Sequence, residues 1–154
     1  MKFSGEIAVA APRVAVFEKL QDIHFFASCI DGVRDLVPLD SKRFDAVLET
    51  KVAYMTFKFK VTVELTEVTA PERIAAKIEG APMGLVGRLT AISSTRLSES
   101  AGGTTIHYEI DTALTGKLGS IGQPVLKAKA KDMEKQFAKN LGAAFAPGAA
   151  QGAA

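Results

Sequence analysis

Few residues in this chain have the types and spacing that chemistry needs. His24 and His107 are the only histidines, and Cys29 is the only cysteine. No CxxC, HExxH, P-loop or GxSxG spacing occurs, so the patterns that hold zinc, cradle phosphate or activate a serine are missing. His107 falls on the outer face of a strand pattern, next to an inward Tyr108. Cys29 follows a short amphipathic segment and reads as a small buried hydrophobe. The carboxylates Asp45, Glu49, Glu64, Glu109 and Asp111 all point outward and have no inward partner, so no general acid/base pair is expected. The sequence therefore predicts no catalytic residue, no metal site and no tightly bound cofactor. What remains is a set of hydroxyls, Ser93, Thr95, Tyr108 and Thr112, in phase with apolar neighbours. Hydroxyls on an apolar wall suit the binding of a long apolar molecule with a small polar head.

The elements that would position these groups are read from periodicity. Residues 55–65 alternate six times, with Met55, Phe57, Phe59, Val61, Val63 and Leu65 on one face and Thr, Lys and Glu on the other. Phe44, Ala46 and Leu48 alternate before it, and Ile74, Ala76 and Ile78 after it. Leu89, Ala91 and Leu97 mark a sixth strand, and Ile106, Tyr108, Ile110 and Leu114 a seventh. A first strand carries Phe3, Ile7 and Val9, and a second spans 33–38. Two short helices follow the first strand, over 12–20 with Val14, Phe17 and Leu20 on one side, and after a capping Asp22. A long helix over about 118–144 closes the pattern, with the stripe Leu126, Ala130, Met133, Phe137, Leu141 and Ala144. Pro124 either starts or kinks it. The expected fold is α+β: a curved antiparallel sheet of about seven strands wrapped around the long C-terminal helix. One domain over 1–145 is expected, then a flexible Ala/Gly-rich tail over 146–154 (APGAAQGAA).

Such an arrangement places Phe57, Phe59, Ile78, Leu89, Ala91, Ser93, Tyr108, Ile110, Thr112, Met133 and Phe137 around one interior, as a ligand cavity or as an ordinary filled core. Two surface features stand beside it. The segment 80–87 reads as a glycine-rich loop that exposes Met83, Leu85 and Val86 among Gly84 and Gly87, the only apolar probe on a loop. It touches a membrane or a partner, or folds inward as a plain connection. Lys127, Lys131, Lys135 and Lys139 recur every four residues on the last helix. Like charges at that spacing repel, so the strip either meets an anionic surface or is relieved by Asp132 and Glu134.

Bulk properties exclude several classes. The 154 residues, 47% hydrophobic and 23% charged, suit one domain with a real core. A net charge of +2 gives no case for nucleic acid. A lone cysteine permits no internal disulfide and fits a reducing compartment. The start, MKFSGEIAVAAP, lacks a secretory h-region, and no apolar run reaches the length of a membrane span, so membrane contact would be peripheral.

Several short motifs share an order and spacing: Met1-Lys-Phe-Ser-Gly5, Ala11-Pro12-Arg13 with Val16-Phe17, Cys29-Ile30-Asp31-Gly32, and Gly80-Ala-Pro-Met-Gly84-Leu-Val-Gly87. Gly103-Thr104 through Tyr108-Glu109, Gly116-Lys117-Leu118-x-x-x-Gly122 and Gln136-Phe137-x-x-Asn140-Leu141 complete the set. Over about 1–145 the chain resembles the carbon monoxide dehydrogenase CoxG family, within the START-like (SRPBCC), helix-grip superfamily. Asp31 stands where that family has a turn proline, and 52–57 is less glycine-rich than is usual there. The resemblance implies a non-catalytic accessory that recruits a molybdenum-containing carbon monoxide dehydrogenase, or a related hydroxylase, to the inner face of the cytoplasmic membrane. It also implies a quinone or lipid as the apolar ligand. A cyclase or hydratase on the same fold, and an assembly factor with a filled core, are the competing expectations.

Overall fold

A computed structural model describes residues 1–52 and 54–145. Strand β1 (Lys2–Val9) is followed by helices α1 (Arg13–Gln21) and α2 (Ile23–Ser28). Then come β2 (Val33–Pro38), β3 (Arg43–Val52), β4 (Met55–Thr69), β5 (Arg73–Pro82), β6 (Gly87–Ser100) and β7 (Gly103–Gly116). A 3-10 turn (Lys117–Ser120) leads into α3 (Gln123–Ala144). The seven strands form one antiparallel sheet in the order β1-β7-β6-β5-β4-β3-β2, as the alternation requires. The segment 146–154, read as a tail, lies outside the described residues.

Alternation decides which face of each strand is covered. In β4, Phe57 and Phe59 are buried and Val61, Val63 and Leu65 half-buried, while Thr56, Lys58, Lys60, Thr62 and Glu64 are exposed. The register between β4 and β5 slips between Leu65 and Glu67, and such a bulge bends the strand and adds curvature to the sheet. Strand β5 runs on through Pro82, with Gly80 opposite Val61, so only 83–86 remain as the connection. The expected loop over 80–87 is therefore shorter. Proline and glycine are tolerated in this strand end because ladder bonding stops just beyond it.

Asp22 caps α2 as its position predicts: its Oδ1 accepts from His24 N at 3.0 Å and Phe25 N at 3.2 Å. In α1 the buried residues are Val16, Phe17 and Leu20, while Val14 is 57% exposed and not on their side. Pro124 sits in the first turn of α3, where its missing N–H costs no bond, so it starts the helix rather than kinking it. Leu118, Ile121 and Val125 lie off the α3 stripe because the chain before Gln123 is not α-helical.

Two sequence motifs meet where α3 ends. Asn140 Nδ2 donates to the Cys29 carbonyl at 2.8 Å and approaches Asp31 Oδ1 at 3.4 Å. Gly32, with φ +90°, packs on the backbone of Glu49, and a Cβ there would strike the Glu49 carbonyl. The Gly32 carbonyl accepts from Glu49 N at 2.9 Å. The Cys29–Gly32 turn thus ties α3 to β3 through main-chain contacts that a side chain at position 32 would block.

Candidate ligand-binding interior and apolar tip

The apolar core is split in two. The larger cluster, at the end of the sheet nearest α1, centres on Ile7, Phe17, Leu97, Ile106 and Leu141. The smaller one, at the opposite end, joins Val52, Phe57, Phe59 and Leu118, with the Phe57 and Phe59 rings stacked 5.9 Å apart. Between them the inward side chains of the middle strands are only half-buried: Ile78, Leu89, Ser93, Tyr108, Ile110 and Thr112. The register brings these together, with Ser93 opposite Ile110 and Thr112 opposite Ala91, which faces Ile78 in turn. Concave-face side chains that keep accessible surface mark a space that neither cluster fills.

Helix α3 has the matching asymmetry. Its one fully buried residue is Leu141, near its C-terminal end, in the larger cluster. Leu126, Ala130 and Met133, toward the other end, are half-buried. Phe137 packs against the larger cluster and its ring lies 5.3 Å from that of Phe26. Of the residues expected to line the cavity, Phe57, Phe59 and Phe137 thus belong to the closed ends, and Ala91 is buried. The others stand along the open band.

One polar pair crosses this interior, and it corrects the sequence reading. Tyr108 Oη donates a hydrogen bond to Glu134 Oε1 of α3. Periodicity alone puts Glu134 beside the lysines, where it would relieve their strip. It turns instead onto the sheet. Gly5, opposite Tyr108 in β1, makes room for the pair. A Cβ at position 5 would collide with the Glu134 carboxylate and stand 2.7 Å from Tyr108 Oη. Burial, then the hydrogen bond and the negative charge of Glu134, hold the Tyr108 phenol well above its usual pKa. The cue in the sequence is a glycine facing Tyr108, which becomes legible only once strand β1 is placed beside β7.

The remaining reactive groups do not enter the band. Cys29 is buried and burial pushes its thiol pKa up, which makes it inert. His24 is exposed. On the convex face His107 joins Ser98 Oγ (3.0 Å to Nε2) and Glu6 Oε1 (3.1 Å to Nδ1), a cross-strand string from β6 through β7 to β1. Its members lie on solvated strand faces, and their order links strands rather than lining a pocket.

The tip of the sheet is formed by the β3–β4 hairpin, the 83–86 connection and the start of α3. Antiparallel order puts all three at one end, and Lys117 N donates to the Val86 carbonyl at 2.8 Å. Met83, Leu85 and Val86 are exposed there by 52%, 40% and 81%. They are not the only apolar probe that the sequence pattern suggests. Tyr54 is 88% exposed and Met55 49%, with Val125 beside a shallow groove of Pro124, Ala128 and Lys129. Gly84, at φ +81°, has open space around it. Lys127, Lys131, Lys135 and Lys139 are exposed and form no ion pair among the described residues. Asp132 instead approaches Lys129 at 3.9 Å and accepts from Gln136.

A sheet wrapped on one long helix, with two short helices after β1, is the helix-grip arrangement, and the family model of the carbon monoxide dehydrogenase accessory protein CoxG matches residues 5–146. The chain belongs to that family. Among solved structures, a conserved protein from Geobacillus kaustophilus is similar over 92% of this chain and 93% of its own, at 23% identity and TM-score 0.84. Protein Ms6760 from Mycobacterium smegmatis is similar over 94% and 90%, at 16% identity and TM-score 0.68. Ara h 8.0201 is similar over 92% and 95%, at 14% identity and TM-score 0.62. At these identities the likeness concerns the fold. No curated protein matches the chain in sequence. In this CoxG-family chain the matched region takes in Gly5, Tyr108 and Glu134 as well as the whole tip. No helix among the described residues is long and apolar enough to cross a membrane.

Proposed function

We propose that this CoxG-family protein is a non-catalytic carrier and adaptor. It holds an apolar molecule with a small polar head, a quinone or a lipid, between the sheet and α3. Through its tip it brings a molybdenum-containing carbon monoxide dehydrogenase, or a related hydroxylase, to the inner face of the cytoplasmic membrane. The observation that carries this reading is the split core: Ile78, Leu89, Ser93, Tyr108, Ile110 and Thr112 keep accessible surface between two packed clusters. The family supports the enzyme partner, and the exposed Tyr54, Leu85 and Val86 support contact with a bilayer. Burying a few such side chains contributes several kcal/mol at about 25 cal/mol per Å² of apolar area. Each lysine close to an anionic leaflet adds roughly 1 kcal/mol. The attachment is therefore reversible and salt-sensitive.

The Tyr108–Glu134 pair is the one feature on the side of an acid–base enzyme. Its raised pKa makes the phenol a weak proton donor near neutral pH, so the pair serves better as a hydrogen-bonding anchor. Native mass spectrometry of protein purified from a membrane-containing lysate tests the carrier reading. An adduct of quinone or lipid mass is expected. Protein that stays free of adduct, and that shows no saturable uptake of added quinone or fatty acid, overturns it.

A further inference from the structure

The hydrogen-bonding capacity left over at the interior pair points to a choice of ligand. Tyr108 has one O–H, and it is spent on Glu134 Oε1. A phenol oxygen whose proton is committed offers lone pairs only, and an ionised carboxylate is acceptor-only. The pair therefore shows the interior two acceptor sites, the Tyr108 oxygen and the second Glu134 oxygen. The arrangement is built in rather than incidental. Gly5 leaves the space in which the carboxylate sits, and the partners come from different elements, β7 and α3. Desolvation of Tyr108 and the adjacent carboxylate both keep the phenol proton in place. Ser93 and Thr112, half-buried on the neighbouring inward positions, carry hydroxyls that rotate to donate or accept and so do not discriminate.

We propose that the Tyr108–Glu134 pair is the recognition point for the ligand's head and selects heads that donate hydrogen bonds, so that a hydroquinone is bound in preference to the corresponding quinone. The inference rests on the carrier reading and deepens it. A quinone carbonyl brings an acceptor to acceptors, and one of the two desolvated sets stays unpaired. A hydroquinone hydroxyl satisfies the carboxylate by a charge-assisted bond. Reduction of a quinone takes two electrons and two protons and converts both carbonyls to hydroxyls, so the head changes from acceptor to donor. Tighter binding of the reduced form raises the potential of the bound couple, by about 30 mV for each tenfold preference in a two-electron couple. A carrier of this kind favours reduction of its cargo by the partner enzyme and holds the reduced product until release.

The test uses the full chain, a decyl-substituted benzoquinone and its hydroquinone, titrated anaerobically against wild type, Glu134→Gln and Tyr108→Phe. Wild type is expected to bind the hydroquinone at least about tenfold more tightly, the order of one charge-assisted hydrogen bond. Glu134→Gln keeps the size of the side chain but adds an N–H₂ donor, and is expected to shift the ratio toward the quinone. A merely structural role would weaken both forms alike and leave the ratio unchanged. Tyr108→Phe keeps the carboxylate and is expected to retain a hydroquinone preference, and circular dichroism confirms that each variant is folded. Equal binding of both forms by wild type, or an unchanged ratio in folded Glu134→Gln, overturns this inference and leaves the carrier reading standing. Binding of neither form overturns both for quinones, and saturable uptake of a fatty acid by the same samples then preserves the carrier reading alone.

Discussion

Truncation of side chains at the two ends of α3 tests whether the helix is pinned at one end over an open interior. Leu141 is fully buried in the larger cluster, among Ile7, Phe17, Leu97 and Ile106. Leu141→Ala removes three carbons from a packed site that can relax little, and buried Leu→Ala changes cost about 2.7–5 kcal/mol. Leu126 lies on the same apolar stripe but is only half-buried. Its side chain has less area to lose and no closed cavity to leave behind, so Leu126→Ala should cost about 1 kcal/mol or less at 25 cal/mol per Å². The difference between the two variants, roughly 2 kcal/mol or more, is the quantity of interest. Urea denaturation followed by far-ultraviolet circular dichroism measures it, with the m-value checked for constancy. Similar losses at both positions would mean that the sheet grips α3 along its whole length, and the open band would be refuted. A loss below about 1 kcal/mol for Leu141→Ala would refute the anchoring itself.

Other consequences follow from particular contacts. Gly5→Ala puts a methyl group where the Glu134 carboxylate lies, so it should break the Tyr108 bond and lower stability by about 1–3 kcal/mol, read by thermal melting. Absorbance titration near 295 nm should find Tyr108 ionising at higher pH than a free tyrosine. In Glu134→Ala its midpoint should fall but stay raised, because desolvation by burial is the larger cause. Since the folded pKa is raised, this group's contribution to stability is complete below the unfolded tyrosine pKa of about 10 and is lost as pH rises through the folded value. Asn140→Ala leaves the Cys29 carbonyl without its donor and should cost about 1–2 kcal/mol, measured by denaturant midpoint. Tyr54→Asp and Leu85→Asp should each reduce co-sedimentation with anionic liposomes in a salt-dependent way, and sedimentation equal to wild type in the double variant would remove the tip from the membrane contact.

The fold is legible in the sequence because its cues are local. Six alternations over 55–65 can be met only by a strand with one covered face, and the 3-and-4 spacing of Leu126, Met133, Phe137 and Leu141 only by a helix. Turn and capping residues such as Asp22, Pro124 and Gly102-Gly103 set most of the element boundaries, since their effect spans a few residues. The motifs also carry the family, as order and spacing survive without coordinates. Tertiary structure decided the rest. Periodicity says that Phe57, Ile78 and Phe137 face inward but not that the core divides, because filling depends on how far the helix stands from the sheet. Glu134 reads as a surface charge until α3 is laid beside β1 and the bare backbone of Gly5 lets its carboxylate in. Tyr54 and Val86 lie 32 residues apart, and only the antiparallel order of the sheet brings them to the same end. Pairings of that separation depend on where whole elements sit, and no local pattern of residue types encodes them.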